Sequence, residues 1–356
     1  MRVALAGCGD IARRYAASIG QAPVLELVGV TDRVPQRAEE LAAELGVVSY
    51  PTLDELLADE RVEAVVNLTP AVAHAEVTAA CLEAGRHVHS EKPLALAYED
   101  AVALVALASA RGLRVSCAPA TLMGEAQQTA WKLVREGAIG RVRVVYAEAN
   151  WGRVETWHPS PASLYDVGPL GDVGVYPLAI LTAMFGPARR VTAYRTVLEP
   201  ERTTLAGEAF RLDQPDFVVA VIELEDDVIV RMTASFYVEH HGKQRGIELH
   251  GDQGSIYMPT WGEANSRLEL AVNGTGYEPV PYVKEPYPGI DWARPLVDLA
   301  DAIGEGRPHR ASVEQGAHLV ELLEAVEASA RGGGTVEVGS TFERPAPMPW
   351  ASADPQ

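Results

Sequence analysis

The feature that most constrains the fold is a regular alternation of short apolar runs and helical segments over the first 119 residues. A strand is predicted from each of six runs, at residues 2–6, 25–31, 47–50, 64–68, 87–89 and 113–117. Strands separated by helices pair in parallel through right-handed crossovers. We therefore predict a doubly wound α/β domain over residues 1–119.

Longer strand-like stretches dominate after residue 119, at residues 142–150, 191–196, 217–225, 228–236, 246–250, 255–258 and 267–272. Consecutive strands joined by tight turns favour an antiparallel sheet with one face on helices and the other open to a second subunit. The pattern predicts an α+β domain over 120–338 with a large open, mostly antiparallel sheet. Its C-terminal part, about 296–331, is predicted to be helical, and prolines after residue 339 predict a loose tail over 339–356.

The composition argues against several classes of partner. The 356-residue chain has 30 Lys plus Arg against 49 Asp plus Glu, a formal net charge of -19, whereas nucleic-acid binding relies on clustered basic residues. Cys8, Cys81 and Cys117 are too widely spaced for a disulfide framework or a zinc site of familiar spacing, so we expect no metal. The longest apolar run is too short to cross a membrane, and we expect a cytoplasmic protein with no membrane partner.

A glycine-rich turn, Gly7-Cys8-Gly9-Asp10-Ile11-Ala12, joins the first predicted strand to the first helix. In such a turn Gly7 makes the tight bend, Gly9 lets the backbone approach a pyrophosphate, and Ala12 permits close helix packing. The helix N-terminus, at Asp10 and Ile11, then holds the negative charge. Between a strand and a helix, this pattern predicts a dinucleotide site.

Polar residues at the ends of later strands extend this predicted site. Asp32 ends the second strand, where a carboxylate binds ribose hydroxyls and repels a 2′-phosphate, which favours NAD. Arg33 is able to pair with such a phosphate, so NADP is the alternative. Asn67, Thr69 and Pro70 follow the fourth strand and are expected to line the cofactor cleft. The next candidate, His74, either contacts the nicotinamide ribose or only occupies the first turn of a helix.

Two further motifs carry side chains suited to chemistry. Lys92, in Glu91-Lys92-Pro93, follows the fifth strand, and burying its ammonium costs free energy unless the charge is used or paired. It is therefore either a functional residue or a surface lysine, and the proline after it favours a cis peptide bond. Asp172 and Tyr176 are four residues apart and share a face if their segment is helical.

Together, Gly7-Cys8-Gly9-Asp10-Ile11-Ala12, Glu91-Lys92-Pro93 and Asp172-x-Gly174-x-Tyr176 resemble the Gfo/Idh/MocA oxidoreductases, over nearly the whole chain. The resemblance implies a Rossmann domain and NAD(P)-dependent hydride transfer to or from a ring hydroxyl or ketone of a sugar, glycoside or cyclitol. It implies that Lys92 is the catalytic lysine, with Glu91 beside it at the cofactor, and that Asp172 is the family's aspartate. Tyr176 occupies a position that is histidine in inositol dehydrogenases and tyrosine in glucose–fructose oxidoreductase.

On this resemblance we expect Tyr176 to act as the general acid/base, with the Lys92 ammonium favouring its phenolate and steadying the alkoxide. Asp172 would orient Lys92 or accept a neighbouring hydroxyl. An aromatic segment with Trp151, Trp157, His158 and Tyr165 precedes Asp172. Trp157, His158 and Tyr165 are expected to contact substrate, with simple loop packing as the alternative for these aromatic residues. His240-His241 is a further candidate for the pocket border.

Two other functions remain open at this point. Some relatives keep NAD bound and cleave glycosidic bonds through transient oxidation. Net formation of NADH with a free sugar would distinguish a dehydrogenase from such a glycosidase. A non-catalytic NAD-sensing regulator would tolerate the loss of Lys92 and Tyr176, and both are present. The open sheet predicts a homodimer or homotetramer.

Overall fold

The computed structural model describes residues 1–239 and 241–352, which form two compact units. The first unit contains residues 1–120 and 291–320, and the second contains 121–290 and the chain from 321 onward. The predicted assignment of residues 296–320 to the second domain is therefore wrong. The reason is apolar packing, because Ala293, Leu296, Val313 and Val320 are buried in the two hydrophobic clusters of the first unit.

The first unit is a six-stranded parallel sheet flanked by helices, which confirms the predicted doubly wound fold. Its order is β3-β2-β1-β4-β5-β6. The strands are β1 (Arg2–Ala6), β2 (Glu26–Thr31), β3 (Val48–Tyr50), β4 (Ala64–Asn67), β5 (His87–Ser90) and β6 (Val115–Cys117). The helices between them are α1 (Ala12–Ile19), α2 (Pro35–Leu45), α3 (Leu53–Ala58), α4 (His74–Glu83) and α5 (Tyr98–Arg111).

Burial of the strands and the residues at the helix ends explain why these elements form. Every residue of β4 is buried, as expected of a parallel strand covered by helices on both faces. Pro35 begins α2, where its missing amide hydrogen is not needed, and Gly46, with a φ of 68°, ends it in the left-handed conformation. The carboxyl ends of all six strands consequently lie along one edge of the sheet.

The predicted C-terminal helical region consists of two helices, α9 (Arg294–Glu305) and α10 (Val313–Gly332). Gly306, with a φ of 69°, ends α9. In the connection that follows, Arg310 is buried and its guanidinium lies 2.5 Å from the Asp298 carboxylate. The residues of α10 up to Val320 belong to the first unit and those from Glu321 to the second.

The second unit contains a nine-stranded sheet in the order β16-β15-β14-β13-β7-β12-β11-β8-β17, with β9 and β10 paired separately. All described pairs of this sheet are antiparallel except β12 with β7, so the predicted mostly antiparallel sheet is confirmed. Its strands are β7 (Val142–Asn150), β8 (Ala188–Thr196), β9 (Glu201–Thr203), β10 (Ala209–Arg211), β11 (Phe217–Leu224), β12 (Ile229–Ser235), β13 (Gly246–Gly251), β14 (Gly254–Met258), β15 (Glu269–Val272), β16 (Glu278–Pro279) and β17 (Val336–Glu337).

The other helices of the second unit are α6 (Glu125–Arg135), α7 (Ala162–Pro169), α8 (Val175–Phe185) and α11 (Pro349–Ser352). The helical stretch Ala162–Phe185 is long and apolar enough to qualify as a membrane span on those two criteria alone. However, 78% of its apolar 18-residue segment is buried within the protein, as in the core helix of a soluble protein. Gly168, with a φ of 75°, also interrupts the stretch with a non-helical residue.

The prediction of a loose tail is wrong for residues 339–352, which are anchored to the second unit. The amides of Gly339 and Ser340 donate to the Glu321 carboxylate at 2.9 and 2.7 Å. The guanidinium of Arg344 donates to Asp226 at 2.7 Å. Over residues 339–348 the prolines interrupt regular structure, but flanking amides and side chains still bind the segment to its neighbours, and the short helix α11 follows from Pro349. Pro355, part of that prediction, lies outside the described residues.

Candidate functional site

The turn after β1 requires glycine at its first position. Gly7 has a φ of 105°, and a Cβ there would lie 2.6 Å from the backbone oxygen of Leu68. Its amide donates to the carbonyl of Thr31 at 2.8 Å, which ties the turn to the end of β2. Ala12 is fully buried in the core. Gly7 and Ala12 therefore have the conformation and packing that the sequence predicts for them.

The same turn is open on the side where a ligand would bind. A Cβ at Gly9 would meet no atom within 4 Å, and α1 begins at Ala12 with Ile11 as an N-cap residue that provides no side-chain hydrogen bond. A cavity of about 310 Å³ adjoins the turn, lined by Cys8, Gly9, Asp10, Arg13, Arg37 and Glu40. An uncapped helix N-terminus next to exposed glycine backbone is a common phosphate site, so these residues fit the pyrophosphate of a dinucleotide.

Asp32 holds this turn in place. Its carboxylate accepts the amide of Cys8 at 2.7 Å and the amide of Val34, also at 2.7 Å, so it joins the loops that follow β1 and β2. Burial, and then the nearby Asp32 charge, raise the pKa of the Cys8 thiol to about 12, which keeps that group a thiol. Arg33, the alternative partner for a 2′-phosphate, is exposed beside Asp32.

The residues after β4 divide into a buried group and a more accessible one. Asn67 is fully buried, and its amide donates to the carbonyl of His74 at 3.0 Å and to the hydroxyl of Thr78 at 3.1 Å. Its oxygen accepts the hydroxyl of Thr69 at 2.6 Å. Asn67 thus shapes the loop, whereas Thr69 is half-buried and Pro70 exposed. The latter two are the residues placed to contact a ligand.

His74 is the first residue of α4 and is 2% exposed. Its Nδ1 lies 2.6 Å from the carbonyl oxygen of Pro93, and its Nε2 lies 2.8 Å from that of Thr69. Of the two predicted roles, the structure favours the helix position over ribose contact, because both ring nitrogens already face backbone carbonyls. His74 connects the loop after β4 to the loop after β5.

The loop after β5 contains Glu91, Lys92 and Pro93, and the Lys92–Pro93 peptide bond is cis, as predicted. Lys92 is half-buried. The Glu91 carboxylate is 7% exposed and accepts the amide of Lys92 at 3.1 Å and the hydroxyl of Tyr15 at 2.7 Å. Because β1, β4 and β5 are parallel, Lys92 lies along the same sheet edge as the glycine turn.

Tyr15 was not among the predicted site residues, although its position held a signal. It lies on the buried face of α1 with Ala12, Ala16 and Ile19. A phenol on an otherwise apolar helix face needs a hydrogen-bond partner inside the domain. Nothing in the sequence identified that partner as Glu91, which is remote along the chain.

In the second unit, the segment of Asp172 and Tyr176 is not one regular α-helix. Asp172 lies in a π-helical turn, Leu170–Gly174, and Tyr176 lies in the first turn of α8. The α-helical spacing predicted for the pair therefore does not apply, since a π turn is wider than an α turn. Both residues are half-buried.

Tyr176 forms part of an aromatic cluster that includes a residue the sequence did not indicate. Its ring lies 4.9 Å from that of Trp261, and Trp261 lies 5.7 Å from Trp151, centroid to centroid. The indole of Trp261 is fixed because its Nε1 donates to the carbonyl of Glu148 at 3.3 Å. Trp151 and Tyr176 are half-buried, so the accessible parts of their rings offer an apolar surface that a sugar ring packs against.

The three other predicted substrate residues lie in different environments. Trp157 is 45% exposed and meets His158 edge to face at 5.5 Å. The Nδ1 of His158 accepts the amide of Ser160 at 3.0 Å, which leaves Nε2 as the ring nitrogen able to donate a hydrogen bond. Tyr165 is only 3% exposed and donates to Glu155, and burial raises the pKa of its phenol. Tyr165 thus packs the interior, which was the alternative to substrate contact.

A buried ion cluster anchors this segment. The Arg202 guanidinium donates to Glu155 at 2.9 Å and also pairs with Asp216, and all three side chains are at most 3% exposed. The cluster fixes the loop that presents Trp157. Of the histidine pair, His241 is exposed and His240 lies outside the described residues. Within residues 1–239 and 241–352, no group of three or more His, Cys, Asp or Glu could hold a metal ion.

Comparison with known proteins identifies the class. Residues 1–118 match an oxidoreductase family with an NAD-binding Rossmann fold, and residues 127–257 match the GFO/IDH/MocA C-terminal domain. Both halves of the chain therefore match domains of NAD-binding oxidoreductases. The chain belongs to the Gfo/Idh/MocA family.

Individual relatives are sugar-modifying enzymes. A UDP-N-acetylglucosamine 3-dehydrogenase of Acidithiobacillus ferrooxidans is 27% identical over 86% of this chain and 90% of its own length. A dTDP-3,4-didehydro-2,6-dideoxy-alpha-D-glucose 3-reductase of Streptomyces violaceoruber is 33% identical over 54% of this chain, and the match spans 56% of that protein. A levoglucosan dehydrogenase in complex with NADH and L-sorbose has the same fold, with a TM-score of 0.84 at 23% identity, over 96% of this chain and 99% of that one.

Proposed function

We propose that this protein transfers a hydride between NAD and a ring hydroxyl or ketone of a sugar, glycoside or cyclitol. The observation that carries the proposal is the position of Lys92 at the carboxyl edge of the parallel sheet, on the edge that also holds the dinucleotide turn. Membership of an NAD-binding oxidoreductase family and the sugar substrates named for two relatives support it.

The residues of the chain supply the proton chemistry of this reaction. When bound, NAD supplies the acceptor for the hydride that leaves the carbon. Tyr176 takes the hydroxyl proton as the C–H bond breaks, so the product is a ketone, reduced cofactor and one proton. The Lys92 ammonium stabilises the developing alkoxide, and Asp172 accepts a hydrogen bond from a neighbouring hydroxyl of the substrate. Reduction of a ketone uses the same groups in reverse.

The aromatic cluster of Trp151, Tyr176 and Trp261 supports a ring-shaped substrate. An apolar ring face packs against aromatic side chains while its hydroxyls face polar groups. Trp157, exposed on the loop that the Arg202 cluster fixes, is a second surface of this kind. This combination fits sugars and cyclitols better than small hydroxy acids, which have no extended apolar face.

The test is a panel of monosaccharides, nucleotide sugars, glycosides and inositols, assayed with NAD for absorbance of the reduced cofactor. We expect net NADH from at least one class of substrate. Glycoside cleavage without net NADH would indicate a redox-assisted glycosidase instead. Tight NADH binding with neither reaction, in both directions, would contradict the proposal and indicate a regulator.

We propose NAD as the preferred cofactor, and Asp32 as the residue that sets this preference. Replacing Asp32 with serine is expected to raise the ratio of kcat/KM with NADP to kcat/KM with NAD by about tenfold, because the charge that repels a 2′-phosphate is removed near Arg33 and Arg37. Asp301→Ser, on the exposed side of α9, is the matched control and should leave the ratio unchanged. An unchanged ratio in Asp32→Ser would remove Asp32 from cofactor selection.

We also propose that two or four copies associate through the outer face of the large sheet. Tyr194 and Val221 are 62% and 44% exposed on neighbouring strands β8 and β11. On the same face Arg231 stacks on Tyr146 with 3.9 Å between the guanidinium carbon and the ring centroid. Light scattering that gives only a monomer at micromolar concentration would contradict this.

The buried thiols of the three cysteines support a reducing, cytoplasmic location.

A further inference from the structure

Lys92 and Tyr15 are connected through one carboxylate. Glu91 accepts the backbone amide of Lys92 through Oε2 at 3.1 Å and the phenol of Tyr15 through Oε1 at 2.7 Å. Glu91 is 7% exposed and Tyr15 is 1% exposed, so both hydrogen bonds are shielded from water. Hydrogen bonds to an ionised group in such surroundings are strong and hold their partners in a fixed geometry.

The direction of the Tyr15 hydroxyl follows from its neighbours. An ionised carboxylate only accepts, so Tyr15 donates its one proton to Glu91. The oxygen of Tyr15 then accepts from the Nε2 of His89, which lies 3.1 Å away. The other nitrogen of His89 lies 3.1 Å from the hydroxyl of Ser116. Burial lowers the pKa of His89 to about 3, so the ring is neutral and Ser116 donates to Nδ1.

The ring of Tyr15 is also immobilised by packing. Its centroid lies 5.8 Å from that of His89 and 5.4 Å from that of Trp292. The phenol is therefore a rigid donor that α1 presents to the loop after β5. On the other side of Lys92, the carbonyl of Pro93 is held by His74.

We propose that Tyr15 is a positioning residue for Lys92, acting through the carboxylate of Glu91. This inference rests on the proposed function, in which the Lys92 ammonium stabilises the reacting oxygen. The hydroxyl of Tyr15 fixes the Glu91 side chain, and the Glu91 side chain fixes the backbone from which Lys92 projects. Tyr15 itself touches neither substrate nor the reacting atoms in this scheme.

The first test is Tyr15→Phe, which keeps the ring and its contacts with His89 and Trp292 but removes the hydroxyl. We expect kcat to fall about fivefold to tenfold, the effect of losing one positioning hydrogen bond, and the Kd for NADH to stay unchanged. The dinucleotide turn at Gly7 and Gly9 is not altered. An unchanged kcat would overturn the proposal.

A double-mutant cycle shows whether Tyr15 acts through Glu91. Because both residues act on the same backbone, Tyr15→Phe combined with Glu91→Gln should lose no more kcat than the more damaged single variant. Fully additive losses would overturn the proposed route. Tyr50→Phe is the matched control, because it removes another phenol-to-carboxylate hydrogen bond of the first unit, from Tyr50 to Asp59 at 2.5 Å, away from Lys92.

Amide hydrogen exchange at Lys92 tests the positioning without any enzyme assay. We expect exchange at this amide to be faster in Tyr15→Phe than in the wild type and in Tyr50→Phe. If the wild type oxidises no sugar or cyclitol, the proposed function fails while faster exchange still supports the link between Tyr15 and Lys92. Exchange that is equal in all three proteins would overturn the link whatever the enzyme's substrate.

Discussion

Replacing Lys92 with methionine is expected to lower kcat by about a hundredfold to a thousandfold, the usual cost of removing a group that stabilises developing negative charge. Methionine keeps the length and apolar stem of the side chain and removes only the ammonium. The hydrogen bond from the backbone amide to Glu91 is unaffected, so the loop after β5 should keep its conformation. Steady-state kinetics with the sugar found in the panel, together with the Kd for NADH, measure both effects.

Lys132→Met is the matched control for this substitution. Lys132 is also a partly buried lysine, and its ammonium pairs with Glu136, the residue that follows α6. Its loss should leave kcat close to the wild-type value. If Lys92→Met also keeps its activity, the ammonium of Lys92 has no part in the chemical step and the proposed mechanism is wrong.

Tyr176→Phe is expected to lower kcat by about a hundredfold, in the range found for removal of a general acid/base. The phenylalanine ring retains the contact with the ring of Trp261 at the start of α8, so substrate packing and folding should change little. The Kd for NADH should also stay unchanged. Stopped-flow measurement of a single turnover separates the loss in the hydride-transfer step from any change in product release.

The control for the phenol is Tyr194→Phe, which keeps the aromatic ring on the face of β8 that we propose for subunit association. It removes a hydroxyl of the same unit without altering the aromatic cluster. Equal kcat values for Tyr176→Phe and the wild type would exclude Tyr176 as the proton acceptor. Asp172, in the π turn before it, would then be the next candidate for that role.

The first sheet is largely predictable because β1, β2 and β4 are mostly apolar and all six strands alternate with helical segments. In β4 all residues are buried, and such runs separated by helices allow little besides parallel pairing. The long strands of the second sheet are predictable from their length and regular alternation. The short ones are not, since two or three residues, as in Glu278–Pro279, carry no periodicity.

The parts of the site that depend on distant contacts were not predictable. The ring of Trp261 contacts that of Tyr176 although the two residues are 85 positions apart in the sequence, and no local pattern indicates this pairing. The sequence allows two roles for His74, and only the position of its ring between the carbonyls of Pro93 and Thr69 distinguishes them. Proline content alone predicts a loose tail after residue 338, but the tail is held in place by hydrogen bonds to Glu321 and Asp226, which lie elsewhere in the chain.

The first unit is built from two separate segments of the chain, residues 1–120 and 291–320, and this affects how it folds during biosynthesis. Leu296 and Val320 complete the apolar clusters on the two sides of its sheet, yet they follow the entire 121–290 insertion. On the ribosome, the N-terminal 120 residues emerge with part of their interior still uncovered. The chain must therefore be synthesised at least as far as residue 320 before the nucleotide-binding unit can reach its final packing.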